Sequence, residues 1–110
     1  MDGKLFVVGG YGTRGTGNKR YQFLDVMEMY DSTEKQWIVH PVKMNLPRKD
    51  FGMAVIDDEI FVCGGESNSR IIADCEVFGY TASSWLKIAS MNQKRRQFGN
   101  FNRVEQIKLF

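Results

Sequence analysis

The chain has 110 residues, 43% of them hydrophobic and 25% charged, with a formal net charge of +2. That near-balance excludes the bulk basic character of a nucleic-acid binder or a polybasic membrane-surface protein, so neither partner is expected. No run approaches the roughly 18 apolar residues of a membrane helix, no basic–apolar–small-residue leader is expected, and Cys63 and Cys75 lack framework spacing, so a cytoplasmic or nuclear setting is expected.

In chain order, residues 5–8 form a short apolar run ending in Gly9 and Gly10. Such a run bounded by glycine reads as a strand buried on both faces. The stretch 9–17 is glycine-rich but lacks a closing Gly-Lys-Ser/Thr and a following helix, so it reads as a long loop rather than a phosphate cradle. Residues 26–30 form the next strand, residues 31–35 a polar turn, and Trp37 lies on the strand after it. Residues 51–56 and 60–63 form two further strands joined at Asp57 and Asp58, and the second ends in Gly64 and Gly65. The glycine pairs let the backbone turn and approach a neighbour closely. No window shows sustained helical periodicity, so the chain reads as all-β.

The elements recur. Tyr30 stands seven residues before Trp37, and Phe78 stands seven before Trp85. Met44, Asn45, Arg48 and Gly52 return as Met91, Asn92, Arg95 and Gly99, at an offset of 47 residues. The first copy has a longer loop after its glycine pair, from Gly12 to Phe23. These residues resemble the kelch repeat, whose unit is one four-stranded propeller blade. The "Met-Asn-x-x-Arg" joints and the strand from Cys75 through Phe78 resemble the kelch domain of BTB-kelch proteins. The resemblance implies an all-β partial kelch β-propeller of about two antiparallel blades, not closed. Residues 1–45 would give three strands of one blade, 46–93 a complete blade, and 94–110 the start of a third repeat or a divergent tail. Two blades fall short of the roughly four to eight of a closed propeller, so the chain is expected to be part of a longer protein, or to self-associate through open blade edges.

Candidate chemistry is sparse. His40 is the one histidine, and a metal site needs several converging ligands, so it reads as a strand-end residue with no cofactor expected. Cys63 takes the slot of Val8 and reads as a small buried hydrophobe; a bridge to Cys75 is geometrically conceivable. Glu28 and Glu76 recur inside apolar strands and need partners, for which Arg48 and Arg95 are natural by bidentate pairing. A repeated ion pair that fixes blade geometry outweighs catalysis, so no catalytic residue is expected. Trp37 and Trp85 should supply apolar area between blades. The basic clusters Lys19-Arg20, Arg48-Lys49 and Lys94-Arg95-Arg96 fall in connections and could share a rim at the channel mouth.

The resemblance further implies a rigid surface for protein recognition, with contacts just after each glycine pair and each repeated arginine. These positions are Tyr11 and Arg14, Glu66 and Asn68, Lys49 and Asp50, and Arg96 and Gln97. Lys49 and Arg96 would meet acidic groups, Asn68 would hydrogen-bond a peptide backbone, and Tyr11 would give an aromatic contact. The implied role is substrate recognition, of a peptide within a partner protein, for a cullin-RING ubiquitin ligase; the cullin is reached only through a BTB region. A cytoskeletal, actin-binding scaffold and a non-functional fragment of a longer protein are the alternatives. A copper enzyme of the galactose-oxidase type is not expected, because its histidine and tyrosine ligand set is missing from the sequence.

Overall fold

The computed structural model describes residues 5–13, 20–79 and 82–96, together with the backbone of residues 108–109. Every element among them is a strand: β1 (Phe6–Val8), β2 (Tyr11–Gly12), β3 (Gln22–Phe23), β4 (Met27–Asp31), β5 (Gln36–Val39), β6 (Gly52–Ile56), β7 (Glu59–Cys63), β8 (Glu66–Ser67), β9 (Arg70–Ile71), β10 (Cys75–Gly79), β11 (Ser84–Ile88) and β12 (Lys108–Leu109). They form one three-stranded sheet in the order β1-β4-β5, one five-stranded sheet in the order β11-β10-β7-β6-β12, and the two small hairpins β2-β3 and β8-β9. All the pairings are antiparallel. The two larger sheets are successive blades of an open propeller, as the repeat implies.

Local chemistry explains the turns. Asp57 and Asp58 both have positive φ, 48° and 62°, as a two-residue hairpin of the twist-matched type requires. Aspartate tolerates that conformation because its short side chain can bond locally. Between β4 and β5 the Asp31 carboxylate accepts bonds from the amides of Thr33 (2.8 Å) and Glu34 (3.1 Å). The seven-residue spacing from aromatic to tryptophan is a register effect. Tyr30 lies directly across from Trp37, and Phe78 across from Trp85, with ring centroids 5.2 and 5.4 Å apart. Such cross-strand aromatic pairs add to sheet stability beyond the area they bury.

The core lies between the blades. Val8 and Met27 of the first blade and Met44 of the connection pack with Phe51, Met53, Ile60, Val62, Phe78 and Trp85 of the second. One sequence expectation fails here. The strand at residues 5–8 is not buried on both faces: Leu5 and Val7 are exposed, and so is Trp37, whereas Trp85 is buried. The reason is geometric. The second blade has the first against its face, while the corresponding face of the first blade meets no neighbour among the described residues.

A fully buried ion pair joins the connection to the second blade. Arg48 Nη2 lies 2.8 Å from Glu76 Oε2, and both side chains are withdrawn from solvent. The expected bidentate pairing is not formed. Arg48 Nη1 instead donates to the carbonyls of Gly64 (2.9 Å) and Asp74 (2.8 Å). The second carboxylate oxygen, Oε1, accepts from the amide N–H (2.7 Å) and side-chain Nδ2 (3.0 Å) of Asn45, while Oε2 also accepts from Leu46 N–H (3.1 Å). Nor does the pair recur: Glu28 is half-buried, Arg95 is exposed, and among the described residues neither forms an ion pair. Their counterparts would stand on blades other than these two.

The backbone ties do recur. Gly10 N–H donates to Arg48 O (2.8 Å) and Gly65 N–H to Arg95 O (2.6 Å); Met44 N–H donates to Asp25 O and Met91 N–H to Ala73 O, both at 2.9 Å. Glycine is required at the approach. At Gly9 (φ +61°) an added Cβ would sit 2.8 Å from Arg48 O, and at Gly65 (φ +93°) it would sit 2.5 Å from Lys49 O.

Removing one partner of a buried pair strands a charge, a loss of roughly 3–5 kcal/mol. Glu76→Ala should therefore lower urea-unfolding stability by about that amount, while Glu28→Ala at the equivalent repeat position should change it by about 0.5 kcal/mol or less.

Candidate functional site

The two loop classes singled out by the repeat meet at one edge, where the blades adjoin. Lys49 and Glu66 form an isolated antiparallel bridge, with Lys49 N–H donating to Glu66 O (3.0 Å) and Glu66 N–H to Lys49 O (2.8 Å). The loop after Arg48 is thereby stitched to the hairpin after Gly65. Asp50, next in the chain, has φ +55° and turns the backbone into Phe51 and β6.

On the first blade the hairpin β2-β3 places Tyr11 across from Phe23. Their ring centroids are 5.3 Å apart, nearly perpendicular, and Tyr21 stands 5.8 Å from Tyr11. The Lys49 ammonium lies over this cluster, 4.9 Å from the Tyr11 centroid and 5.6 Å from that of Phe23, within cation–π range. On the second blade β8-β9 is closed by Asn68 and Ser69, both at positive φ (49° and 67°), a tight two-residue turn. Tyr11, Tyr21, Gln22 and Phe23 from one blade, Asn68 and Ser69 from the other, and Pro47 from the connection line an open pocket of about 530 Å³. Arg96 Nη1 lies 2.9 Å from Glu66 Oε1 beside it.

The structure places Tyr11, Lys49 and Asn68 at this one edge, with Glu66 bridged to Lys49 and Arg96 paired with Glu66. Two expectations change. Arg96 is satisfied by Glu66 within the chain, so an incoming acidic group would compete with that carboxylate. The basic rim loses Arg48, which is buried and spent on Glu76. Arg14 and Gln97 lie outside the described residues. Tyr21, Phe23, Pro47 and Ser69 were not anticipated. The alternation of Tyr21 and Phe23 across Gln22 was the one available signal, since alternate residues on a strand share a face. The stretch after Gly10, read as a loop, carries the hairpin β2-β3 at its base.

His40 ends its strand as expected. Its Nδ1 accepts from Val42 N–H (3.1 Å), and its ring packs edge-on against Phe78, 5.2 Å between centroids. Among the described residues no group of three or more His, Cys, Asp or Glu side chains is placed to hold a metal. Cys63 and Cys75 face each other across β7 and β10, and both are free thiols. The neighbouring pair carries the ladder bond from Gly64 N–H to Asp74 O (2.9 Å), so the cysteines occupy the closer, non-hydrogen-bonded type of position. Burial, then the hydrogen bond and charge of Cys75, push the Cys63 thiol up to about 12, with Arg48 opposing.

The stacked antiparallel blades, with loops gathered where they adjoin, define a β-propeller repeat protein. The Kelch motif pattern matches residues 1–39 and 47–92, and the chain belongs to the kelch-repeat family. It is similar to Kelch-like protein 42 of Mus musculus, 33% identical over 78 residues, covering 66% of this chain and 15% of the relative. It is similar to Kelch-like protein 36 of Rattus norvegicus, 30% identical over 91 residues (83% of this chain, 14% of the relative). Kelch-like protein 28 of Mus musculus is 36% identical over 84 residues, covering 69% and 14%. The chain therefore spans about a seventh of the length of these relatives. Among solved structures, that titled "Structure of YjhT" superposes with a TM-score of 0.71 at 13% identity, over 83% of this chain and 36% of that one, a likeness of fold.

The raised Cys63 pKa makes two expectations. In the folded chain Cys63 should react with iodoacetamide at pH 8 about a thousandfold more slowly than in the unfolded chain, read by mass spectrometry. Between its ordinary 9.0 and about 12 the unfolded chain releases this proton while the folded one keeps it, so stability should fall as pH rises through that window. Cys63→Val should remove that part of the alkaline loss, read from thermal melts.

Proposed function

We propose that the chain is a protein-interaction module that grips a segment of a partner protein in the pocket between the two blades. The observation that carries this reading is the Lys49–Glu66 bridge, which draws both loop classes onto one aromatic-walled pocket. Tyr11, Tyr21 and Phe23 offer apolar walls for one anchoring side chain. The Lys49 ammonium, held over the rings, favours a carboxylate beside that anchor. Asn68 and Ser69 present polar groups to the segment's backbone.

The finer reading is that such binding serves substrate recognition for a cullin-RING ubiquitin ligase, in the cytoplasm. The kelch repeats shared with Kelch-like proteins support it, as do two thiols kept free, which suit a reducing compartment. The cullin would be contacted by a BTB region rather than by these blades.

Peptides selected on this chain from a displayed random library test the pocket. Tyr11→Ala and Lys49→Ala should each weaken the selected peptide by about fivefold or more, while Lys87→Ala, on exposed β11, should leave binding unchanged. Equal effects from all three variants, or none, would reject the pocket. Pull-down with residues 1–110 should recover no cullin, whereas a form carrying a BTB region should. Co-sedimentation of the chain with actin filaments would instead favour a cytoskeletal role.

A further inference from the structure

Every residue lining the pocket belongs to the junction of the two described blades, so its chemistry does not depend on what adjoins either blade. Three features of it narrow the partner. The first is the arrangement of the rings. Tyr11 and Tyr21 stand 5.8 Å apart with their planes at 37°, and Tyr11 and Phe23 stand 5.3 Å apart at 76°. At these spacings the rings touch one another, and no side chain enters between them. Yet Tyr11 is 51% and Tyr21 65% exposed, so the rings form a ridge with open faces across which a segment can lie.

The second feature is the backbone. The hairpins that flank the pocket pair within themselves, Tyr11 with Phe23 and Gly12 with Gln22 in one, Glu66 with Ile71 and Ser67 with Arg70 in the other. Between the hairpins Lys49 and Glu66 already exchange both of their amide–carbonyl bonds. Strands of two residues are too short a ladder for an incoming β-strand to extend. The third feature is the polar lining. Tyr11, Tyr21, Gln22, Asn68 and Ser69 each carry a side-chain donor, and none of these donors is taken up by another described residue. Lys49 stands at the margin. Its ammonium lies over Tyr11 and Phe23 with no carboxylate against it among the described residues, whereas Arg96 is paired with Glu66.

We propose that the pocket takes a proline-rich segment in the polyproline II conformation, with an acidic residue on the flank beside Lys49. This names the partner chemistry of the peptide pocket and rests on that reading of it. A polyproline II segment presents carbonyls that no internal bond uses, and its prolines have no N–H, so it asks for donors and needs no ladder. The lining supplies the donors and offers no ladder. Three residues per turn set positions i and i+3 on one face, and two proline rings so placed lie flat against a ridge of aromatic rings. The conformation exists before binding, so an open pocket does not have to order the segment. A carboxylate on the flank meets the Lys49 ammonium, which the rings hold in place.

Two displayed peptide libraries of equal length, selected on residues 1–110, test this. One fixes proline at positions i and i+3 and randomises the rest; the other is random but excludes proline. The proline library should give the tighter binders, by about tenfold or more in Kd, with Asp or Glu recurring on one flank. Tyr21→Ala should weaken them by about fivefold or more, and Lys49→Ala should weaken them only while that acid is present. Tyr21 is an exposed side chain, so its variant should keep the wild-type circular dichroism. Proline-free binders of equal affinity that are weakened by both variants overturn the proline preference and leave the peptide pocket standing. Proline binders with no recurring acid, unmoved by Lys49→Ala, overturn the acidic flank. Binders that ignore both variants, or no binders from either library, overturn the pocket together with this inference.

Discussion

A single carboxylate organises this molecule. Glu76 has no solvent, and its charge is tolerable only because four donors from one short connection converge on it. That requirement fixes the path of the chain between the blades. Asn45 and Leu46 must turn their amides inward, and Arg48 must extend its guanidinium beneath the second blade. Arg48 also faces backward, because its carbonyl accepts the amide of Gly10 in the first blade. One residue thus belongs to both sheets, its side chain to one and its backbone to the other. The glycine pair follows from this, since the carbonyl comes closer than any Cβ at Gly9 would allow.

The binding surface inherits its geometry from that scaffold. Lys49 follows Arg48 directly, so anchoring the arginine delivers the lysine to the hairpin at Glu66 and to the rings of Tyr11 and Phe23. Residues that hold the blades together alternate along the chain with residues that line the loop edge. Repeats keep the first set alike and let the second differ, as the two hairpins do. One carries an aromatic cluster and a long excursion; the other is a two-residue turn with polar tips.

Much of the fold was legible because the repeat made each element visible twice. Paired glycines, the aromatic–tryptophan spacing and Asp57-Asp58 all report local backbone demands, and the structure meets them. Contacts between blades were harder to read. Residues 5–8 carry the pattern of a doubly buried strand, but a pattern states what a neighbour could cover, not whether one is there. The same limit misplaced the pairing of Glu28 and Arg95. Repeat logic correctly matched acid with arginine, yet each pair spans from a connection to the blade after it. Two blades complete only one such pair. At the pocket, Tyr11, Lys49 and Asn68 were legible as loop positions. Tyr21 and Phe23 left only a single alternation across Gln22, at a strand of two residues, too short to establish a period.

The uneven burial of the two blades also sets how the molecule opens. Stability in stacked repeats is a sum of each unit's own contribution and the contacts it shares with its neighbours. Here the second sheet has both its own ladder and the shared interface, whereas β5 of the first lies wholly on the surface. Fluctuations therefore start at that outer strand and lose amplitude toward β7 and β10, where backbone amides exchange with solvent last. The pocket straddles this gradient. One wall belongs to the yielding sheet and the other to the firm one, so a ligand seated there draws the looser blade into the order of its neighbour.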